Sequence, residues 1–264
     1  MRTTRPRSNG SKQRWRGWGD VSLVLATDDT GGPEIFASVQ GEGPSMGMPV
    51  AFMRLSRCNL ACVWCDTAYT WHFEGDNRPH RSGEFFDRKA NQVTLEEAEV
   101  AERILALGQN RLVISGGEPL LQAPALAKLL DLLPDISVEV ETNGTTKATT
   151  ALDIRIDQFN VSPKLAHSGN PADLALIPER LDAYATDPRA FFKFVIAEPS
   201  DVDEVLSLRD RYRFRPGHVF LMPEGTDSET LRTREKWLTD LCLKHGFRMS
   251  DRLHIHLFGD TRGT

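Results

Sequence analysis

Seven short runs rich in β-branched and aromatic residues recur along the chain: Val50–Leu55, Leu112–Ser115, Ser137–Glu141, Gln158–Val161, Phe192–Ala197, His218–Met222 and Leu253–Phe258. Each is the length of one strand. Between them, Leu95–Leu107, Pro124–Leu133, Val202–Tyr212 and Ser228–His245 carry helical periodicity. Strand-sized runs alternating with helices favour parallel strands joined by helical crossovers, because a parallel pair needs a long connection. Thr94 and Glu97 have capping-box spacing and predict the first helix start; Gly246 predicts the end of the last. About six parallel strands under outer helices make either a closed barrel or an incomplete one, with ligands at the C-terminal strand ends. Residues 66–93 predict a long polar and aromatic loop, and residues 166–190 a second irregular excursion.

At 264 residues the chain has room for one large α/β domain or two small ones. No repeat or low-complexity linker divides residues 20–264, which are expected to form a single domain. No apolar run approaches the roughly 20 residues that span a bilayer, so no membrane partner is expected. Residues 1–19 differ in kind, with six basic residues (Arg2, Arg5, Arg7, Lys12, Arg14, Arg16) and no acid. They lack the apolar core of a secretory signal. A disordered extension is the default reading; a transit peptide, a nucleic-acid arm, or docking through Trp15 and Trp18 are the alternatives. Setting those six charges aside from the formal −5 leaves −11 on residues 20–264. A body that acidic is not expected to bind nucleic acid directly.

Three of the four cysteines, Cys58, Cys62 and Cys65, lie in one run of eight residues. A disulfide framework calls for an even count in a short secreted chain. Structural zinc calls for four ligands, and His72 is the nearest residue to complete a Cys3His set. Three thiolates alone suit a [4Fe–4S] cube with one iron left open to a non-protein ligand. Polar Arg57, Asn59 and Asp66 beside them argue against three merely apolar cysteines.

Further motifs sit at predicted strand ends. Gly116-Gly117-Glu118-Pro119 is either a strand-to-helix turn or a place where backbone approaches a ligand, with Glu118 available to an ammonium. Glu139 and Glu141 share one face of their strand, pointing into a polar interior or to solvent. Ser162-Pro163-Lys164 brings a hydroxyl and an ammonium to another strand end. Upstream, Gln40 and Glu42 within Gln40-Gly41-Glu42-Gly43 offer hydrogen-bonding edges to a heterocycle. Arg54 is a cation in an apolar strand, which calls for a substrate carboxylate or a salt-bridged Glu. Asp66 and Thr67 carry hard oxygens suited to magnesium; Asp66 capping backbone amides is the alternative.

Taken together, these residues resemble the 7-carboxy-7-deazaguanine synthase family of radical S-adenosylmethionine (SAM) enzymes. The resemblance runs from about Glu34 to Gly263. It is carried by Glu34-Ile35-Phe36, Gln40–Gly43, the cysteine run with Asp66-Thr67, Ser115–Leu120, Glu141–Gly144, Asn160–Lys164, Met222–Gly225 and Arg252-Leu253-His254. It implies a partial TIM-like barrel of about six parallel strands with modified outer helices. It also implies conversion of 6-carboxy-5,6,7,8-tetrahydropterin to 7-carboxy-7-deazaguanine and ammonia, as in queuosine and 7-deazapurine biosynthesis. The implied cofactors are a [4Fe–4S] cluster, SAM and Mg2+. The implied partners are the pterin, an electron donor such as flavodoxin or ferredoxin, and a second copy in a cytoplasmic homodimer.

Carried over by position, Cys58, Cys62 and Cys65 would ligate the cluster. Trp64, Cys65, Asp66, Gly117, Glu118, Ser162, Pro163 and Lys164 would line SAM. Val39, Gln40, Gly41, Glu42, Arg54 and Ser115 would line the pterin, and Thr67 would ligate Mg2+. The basic extension and Asp28–Gly32 depart from the family pattern, and Phe258 stands where Trp is expected, predicting an altered pocket wall. The competing functions are another radical SAM reaction, such as glycyl-radical activation of a partner, and a non-enzymatic metal-binding module. The first does not account for Gln40–Gly43 beside Arg54.

Overall fold

The structure is a computed structural model and describes residues 22–264. The basic extension at 1–19, with Trp15 and Trp18, therefore lies outside the described residues. The strands are β1 (Leu23–Ala26), β2 (Ile35–Val39), β3 (Pro49–Leu55), β4 (Gln92–Leu95), β5 (Arg111–Gly116), β6 (Ser137–Thr142), β7 (Gln158–Val161), β8 (Ala190–Ile196), β9 (Val219–Pro223) and β10 (Arg248–Met249). Neighbours run β10-β9-β8-β7-β6-β5-β3-β1-β4, with β2 also on β3, so the sheet keeps two ends and the barrel is incomplete. β3 and β5 to β9 pair in parallel in chain order, and two-residue β10 extends them.

Alternation along these strands separates two chemistries. Leu112, Ile114, Val138, Val140, Phe159, Val161, Phe192, Phe194, Val219 and Leu221 join one hydrophobic core with Val100, Ile104, Leu126, Leu129, Leu181, Val205 and Leu238 of the outer helices. Burying each such side chain contributes about 1.5–3 kcal/mol. The intervening residues include Arg54, Ser115, Glu139, Glu141, Asn160 and Lys193. A register slip of one residue would exchange the two sets, so the apolar face fixes where the charges go.

Six of the seven expected strands form, within two residues at either end. The seventh does not: Leu253–Phe258 is a helix. Its apolar alternation is only apparent, because Ile255 is buried whereas Leu257 and Phe258 are exposed. The predicted capping box also fails. Thr94 is held in β4 opposite Val24, and the helix begins at Glu97 after Glu96 with no side-chain cap. The excursion 166–190 contains a helix, Pro178–Thr186, opened by Pro178 and buried through Leu181 and Tyr184. Antiparallel β1, β2 and β4 were not anticipated; β2 is half-buried except at exposed Ala37 and shows no alternating pattern. Residues 66–93 are mainly loop, ending in the short helix Arg88–Asn91 capped by Asp87 and then β4.

Candidate active site

The C-terminal strand ends open on a cavity of about 620 Å³. At one end β3 passes through Arg57, a non-glycine residue at φ +78°, into Cys58. Such backbone costs on the order of 1–3 kcal/mol and persists where its surroundings fix it. Here the fixing partner is the Gly116-Gly117 step. Gly117 N donates to Leu55 O at 3.0 Å and Glu118 N to Arg57 O at 2.9 Å. A Cβ at Gly116, itself at φ +128°, would collide with the Leu55 backbone, and one at Gly117 with that of Arg57. The glycines thus seat the launching point of the cysteine loop, and Gly117 still faces the cavity.

Glu118 does not take the expected place. It is fully buried, is absent from the cavity wall, and accepts from Asn143 N (2.7 Å), Leu120 N (3.0 Å) and Thr142 Oγ1 (2.9 Å). Burial pushes its carboxyl up while the Asn143 and Leu120 amides and the Thr142 hydroxyl pull it down; the rise wins. Its role is to tie the turn after β5 to the end of β6.

All three clustered sulfurs line the cavity. Asn170 Nδ2 stands 3.3 Å from Cys62 Sγ, Asn143 Nδ2 3.9 Å from Cys58 Sγ, and Thr67 Oγ1 3.6 Å from Cys65 Sγ. Burial pushes the Cys58 thiol up to about 12 and that of Cys65 to about 11. The protein alone leaves them protonated, and bound cations are what would convert them to thiolates. A single zinc ion would need sulfurs about 3.8 Å apart. Among the described residues the three thiols are not within 4.8 Å of one another as a group. His72 is also spent, with Nδ1 2.7 Å from Glu84 O and Nε2 3.0 Å from Arg78 O. His72 is thus occupied elsewhere, and the donors aimed at the sulfurs suit thiolates that would hold an iron–sulfur cluster.

Beside the sulfurs, Trp64 stacks on His167 at 5.5 Å, and Lys164 Nζ lies 5.9 Å above the Trp64 ring. Lys164 Nζ donates to Ser162 O (2.9 Å) and contacts Ser162 Oγ (2.7 Å), holding that turn closed. Trp64, Cys65, Asp66, Thr67, Gly117, Ser162 and Lys164 all face the cavity; Pro163 is buried behind it and is not in the wall.

Val39, Gln40, Gly41, Glu42, Arg54 and Ser115 also line the cavity. Arg54 is not an unpaired cation: its Nε donates to Glu34 Oε1 at 2.7 Å, and Tyr69 donates to Glu34 Oε2 at 2.9 Å. Its side chain is nevertheless 20% exposed and reaches the cavity. Glu42 meets Lys193 (2.5 Å) and Arg252 Nε (3.1 Å), while Lys193 also meets Glu141 (2.8 Å). Arg252 reaches Asp66 and the Gly225 carbonyl as well. Gln40 and Asn160 donate to both Glu139 and Glu141. Burial alone would raise the Glu42 carboxyl, but Lys193 and Arg252, with His254, outweigh it and hold it well below the usual carboxylate range.

Sequence reasoning gave no role to Lys193, Arg252 or His254, all of which line the cavity. Lys193 was detectable by the signal that flagged Arg54, a cation inside an apolar strand, Ala190–Ile196. Phe258 is 46% exposed and outside the cavity wall, which Ile255 and Gly259–Arg262 form instead; the expected alteration by Phe258 is absent.

The Radical SAM superfamily model matches residues 54–167. A 7-carboxy-7-deazaguanine synthase from Pyrobaculum aerophilum is 37% identical over 87% of this chain and 95% of its own. One from Halobacterium salinarum is 34% identical over 88% and 91% respectively. The crystal structure of QueE from Escherichia coli superposes with a TM-score of 0.63 at 22% identity, covering 89% of this chain and 96% of that one, and shares the fold. The chain belongs to the 7-carboxy-7-deazaguanine synthase family of the radical SAM superfamily.

Proposed function

We propose that the protein is a radical SAM carbon–nitrogen lyase that converts 6-carboxy-5,6,7,8-tetrahydropterin to 7-carboxy-7-deazaguanine with loss of ammonia. The observation that carries this reading is a single cavity lined both by the three clustered cysteines and by Arg54 with a charged hydrogen-bonding floor. Cys58, Cys62 and Cys65 would hold a [4Fe–4S] cluster, and Trp64, Asp66, Gly117, Ser162 and Lys164 would line SAM. The chemistry supplied when both are bound is reductive cleavage to methionine and a 5′-deoxyadenosyl radical that initiates ring contraction.

The chain's own residues position the substrate. Arg54 keeps its guanidinium at the cavity surface while Glu34 fixes its Nε, an arrangement suited to a ligand carboxylate. Gln40, Glu42 and Ser115 present polar edges to the heterocycle. Thr67 would offer its hydroxyl to Mg2+, which would clamp substrate oxygens. A one-electron donor such as flavodoxin or ferredoxin would supply the reducing equivalent to a cytoplasmic homodimer. Among the described residues no helix is long and apolar enough to cross a membrane.

The test is an anaerobic assay of reconstituted protein with carboxytetrahydropterin, SAM and reductant, with and without Mg2+. Formation of the deazaguanine supports the reading. Reductive SAM cleavage without that product would assign the chain to another radical SAM reaction.

A further inference from the structure

Lys193 bridges two carboxylates of the cavity floor from different parts of the chain, as Arg252 bridges Glu42 and Asp66. It lies on β8, is 5% exposed, and joins Glu42 of the loop after β2 to Glu141 of β6. The groups packed around those carboxylates are donors. Glu42 receives Lys193 Nζ and Arg252 Nε. Glu141 receives Lys193 Nζ at Oε2 and the amides of Gln40 (3.3 Å) and Asn160 (2.8 Å) at Oε1. Both oxygens of each carboxylate take donors, which favours the ionised, acceptor-only form; burial pushes the Glu141 carboxyl up and the Lys193 ammonium opposes that rise. Among strands of phenylalanine and valine an ammonium costs several kcal/mol to bury unless it is paired this way.

We propose that Lys193 is a positioning residue that sets the pocket's choice of heterocycle, by holding Glu42 and Glu141 as a matched pair of hydrogen-bond acceptors facing the substrate. This rests on the pterin reading above. A 2-amino-4-oxo ring presents N–H donors along one edge, which an acceptor-only pair would receive. Its 2-oxo counterpart places an oxygen there and would be rejected. Without the ammonium, two carboxylates confront each other beside Glu139 and Asp66, and one of the pair takes up a proton. That proton turns an acceptor into a donor and erases the distinction. Arg252, Arg111 and Arg54 are the remaining cations in this surround, and burial pushes the His254 imidazole toward its neutral form. Arg252 meets Glu42, His254 Nε2 lies 3.9 Å from Glu42, and Arg111 meets Glu139 at 3.3 Å. None of them meets Glu141, so none replaces Lys193 there.

The experiment compares anaerobic binding of 6-carboxytetrahydropterin and its 2-oxo counterpart to reconstituted wild type, Lys193→Arg, Lys193→Gln and Lys193→Met, from pH 6 to 9. Wild type should prefer the 2-amino ligand, and Lys193→Arg should retain that preference. Lys193→Gln and Lys193→Met should bind the 2-amino ligand roughly tenfold to a hundredfold more weakly. Their affinity should recover as pH rises, because deprotonation restores the lost acceptor. A purely structural lysine would lower folded protein and leave the ligand ratio and its pH profile unchanged, and that result overturns the proposal. A second readout does not depend on the Lys193 variants folding. Infrared difference spectra of wild type against Glu141→Gln should show an ionised carboxylate at neutral pH; a protonated band overturns the proposal. Wild type that makes no deazaguanine would instead remove the underlying pterin reading.

Discussion

At its sulfur end the cavity is walled by chain neighbours, Cys58 to Thr67, whereas its floor joins Glu42 to Arg252 across 210 positions. The two ends also differ in how complete they are. The thiols are buried and pushed upward, so that end waits for cations from outside the chain. The floor already balances itself: Glu42 and Glu141 lie against Lys193 and Arg252, and the Gln40 and Asn160 amides donate to Glu141. A local motif can leave its charge balance to a cofactor. A site assembled from distant strands has to balance its charges for the strands to meet at all.

The strongest way to break this contrast is Cys62→Ala. It should abolish both the brown colour and the activity, while the unfolding midpoint of cluster-free protein stays near that of cluster-free wild type. A large further loss of stability would show that the sulfur end is part of the folding frame. Glu118→Ala should behave in the opposite way. It strands two amides and a hydroxyl in a fully buried site, so stability should fall by about 3 kcal/mol or more, read by denaturant unfolding. Glu118→Gln retains an acceptor oxygen and should lose roughly half as much. If Glu118→Ala folds normally and loses only SAM affinity, the carboxylate belongs to the cofactor wall after all.

That contrast also explains what was legible in the chain. The parallel strands could be read because each apolar face recurs with period two between helices, and the cysteine loop because its ligands are adjacent. β1, β2 and β4 lack that signal; β1 is buried throughout and β2 is half-buried except at exposed Ala37, so neither alternates. The final helix was misread because Leu253, Ile255 and Leu257 mimic strand alternation, while the preceding Arg252 is fixed by Glu42, Asp66 and the Gly225 carbonyl. Glu118 was placed in the cavity from its motif, and only its buried donors revealed otherwise. Lys193 was overlooked because its two partners lie 151 and 52 residues away.

Arg54 also lines the cavity and gives a finer test. Glu34 fixes its Nε, and the side chain reaches the cavity. Arg54→Ala should weaken pterin binding by roughly tenfold to a hundredfold, the range for a charge-assisted pair, with iron content unchanged. Arg54→Lys should recover only part of it, because an ammonium cannot make a bidentate contact. Unchanged substrate affinity in Arg54→Ala would confine the residue to its pair with Glu34.

The smallest effect is expected in the loop over the sulfur end, where Arg78 grips Asp76 through Nε and Nη2 and lies 4.8 Å above Trp71. The Arg78 hydrogen bonds hold the Asp76 carboxyl at about 2, below its ordinary 3.8. A depressed carboxylate stabilises the fold above its unfolded pKa, and that contribution is lost as pH falls through the folded one. The pair should therefore act in full above about pH 4 and fade toward pH 2. Arg78 is 39% exposed, so solvent screening limits the contribution to below about 1 kcal/mol. Asp76→Asn should lower stability by that small amount at neutral pH and converge with wild type in acid, as read by unfolding at successive pH values. A larger loss would mean that the loop over the sulfur end is held by its charges as firmly as the floor.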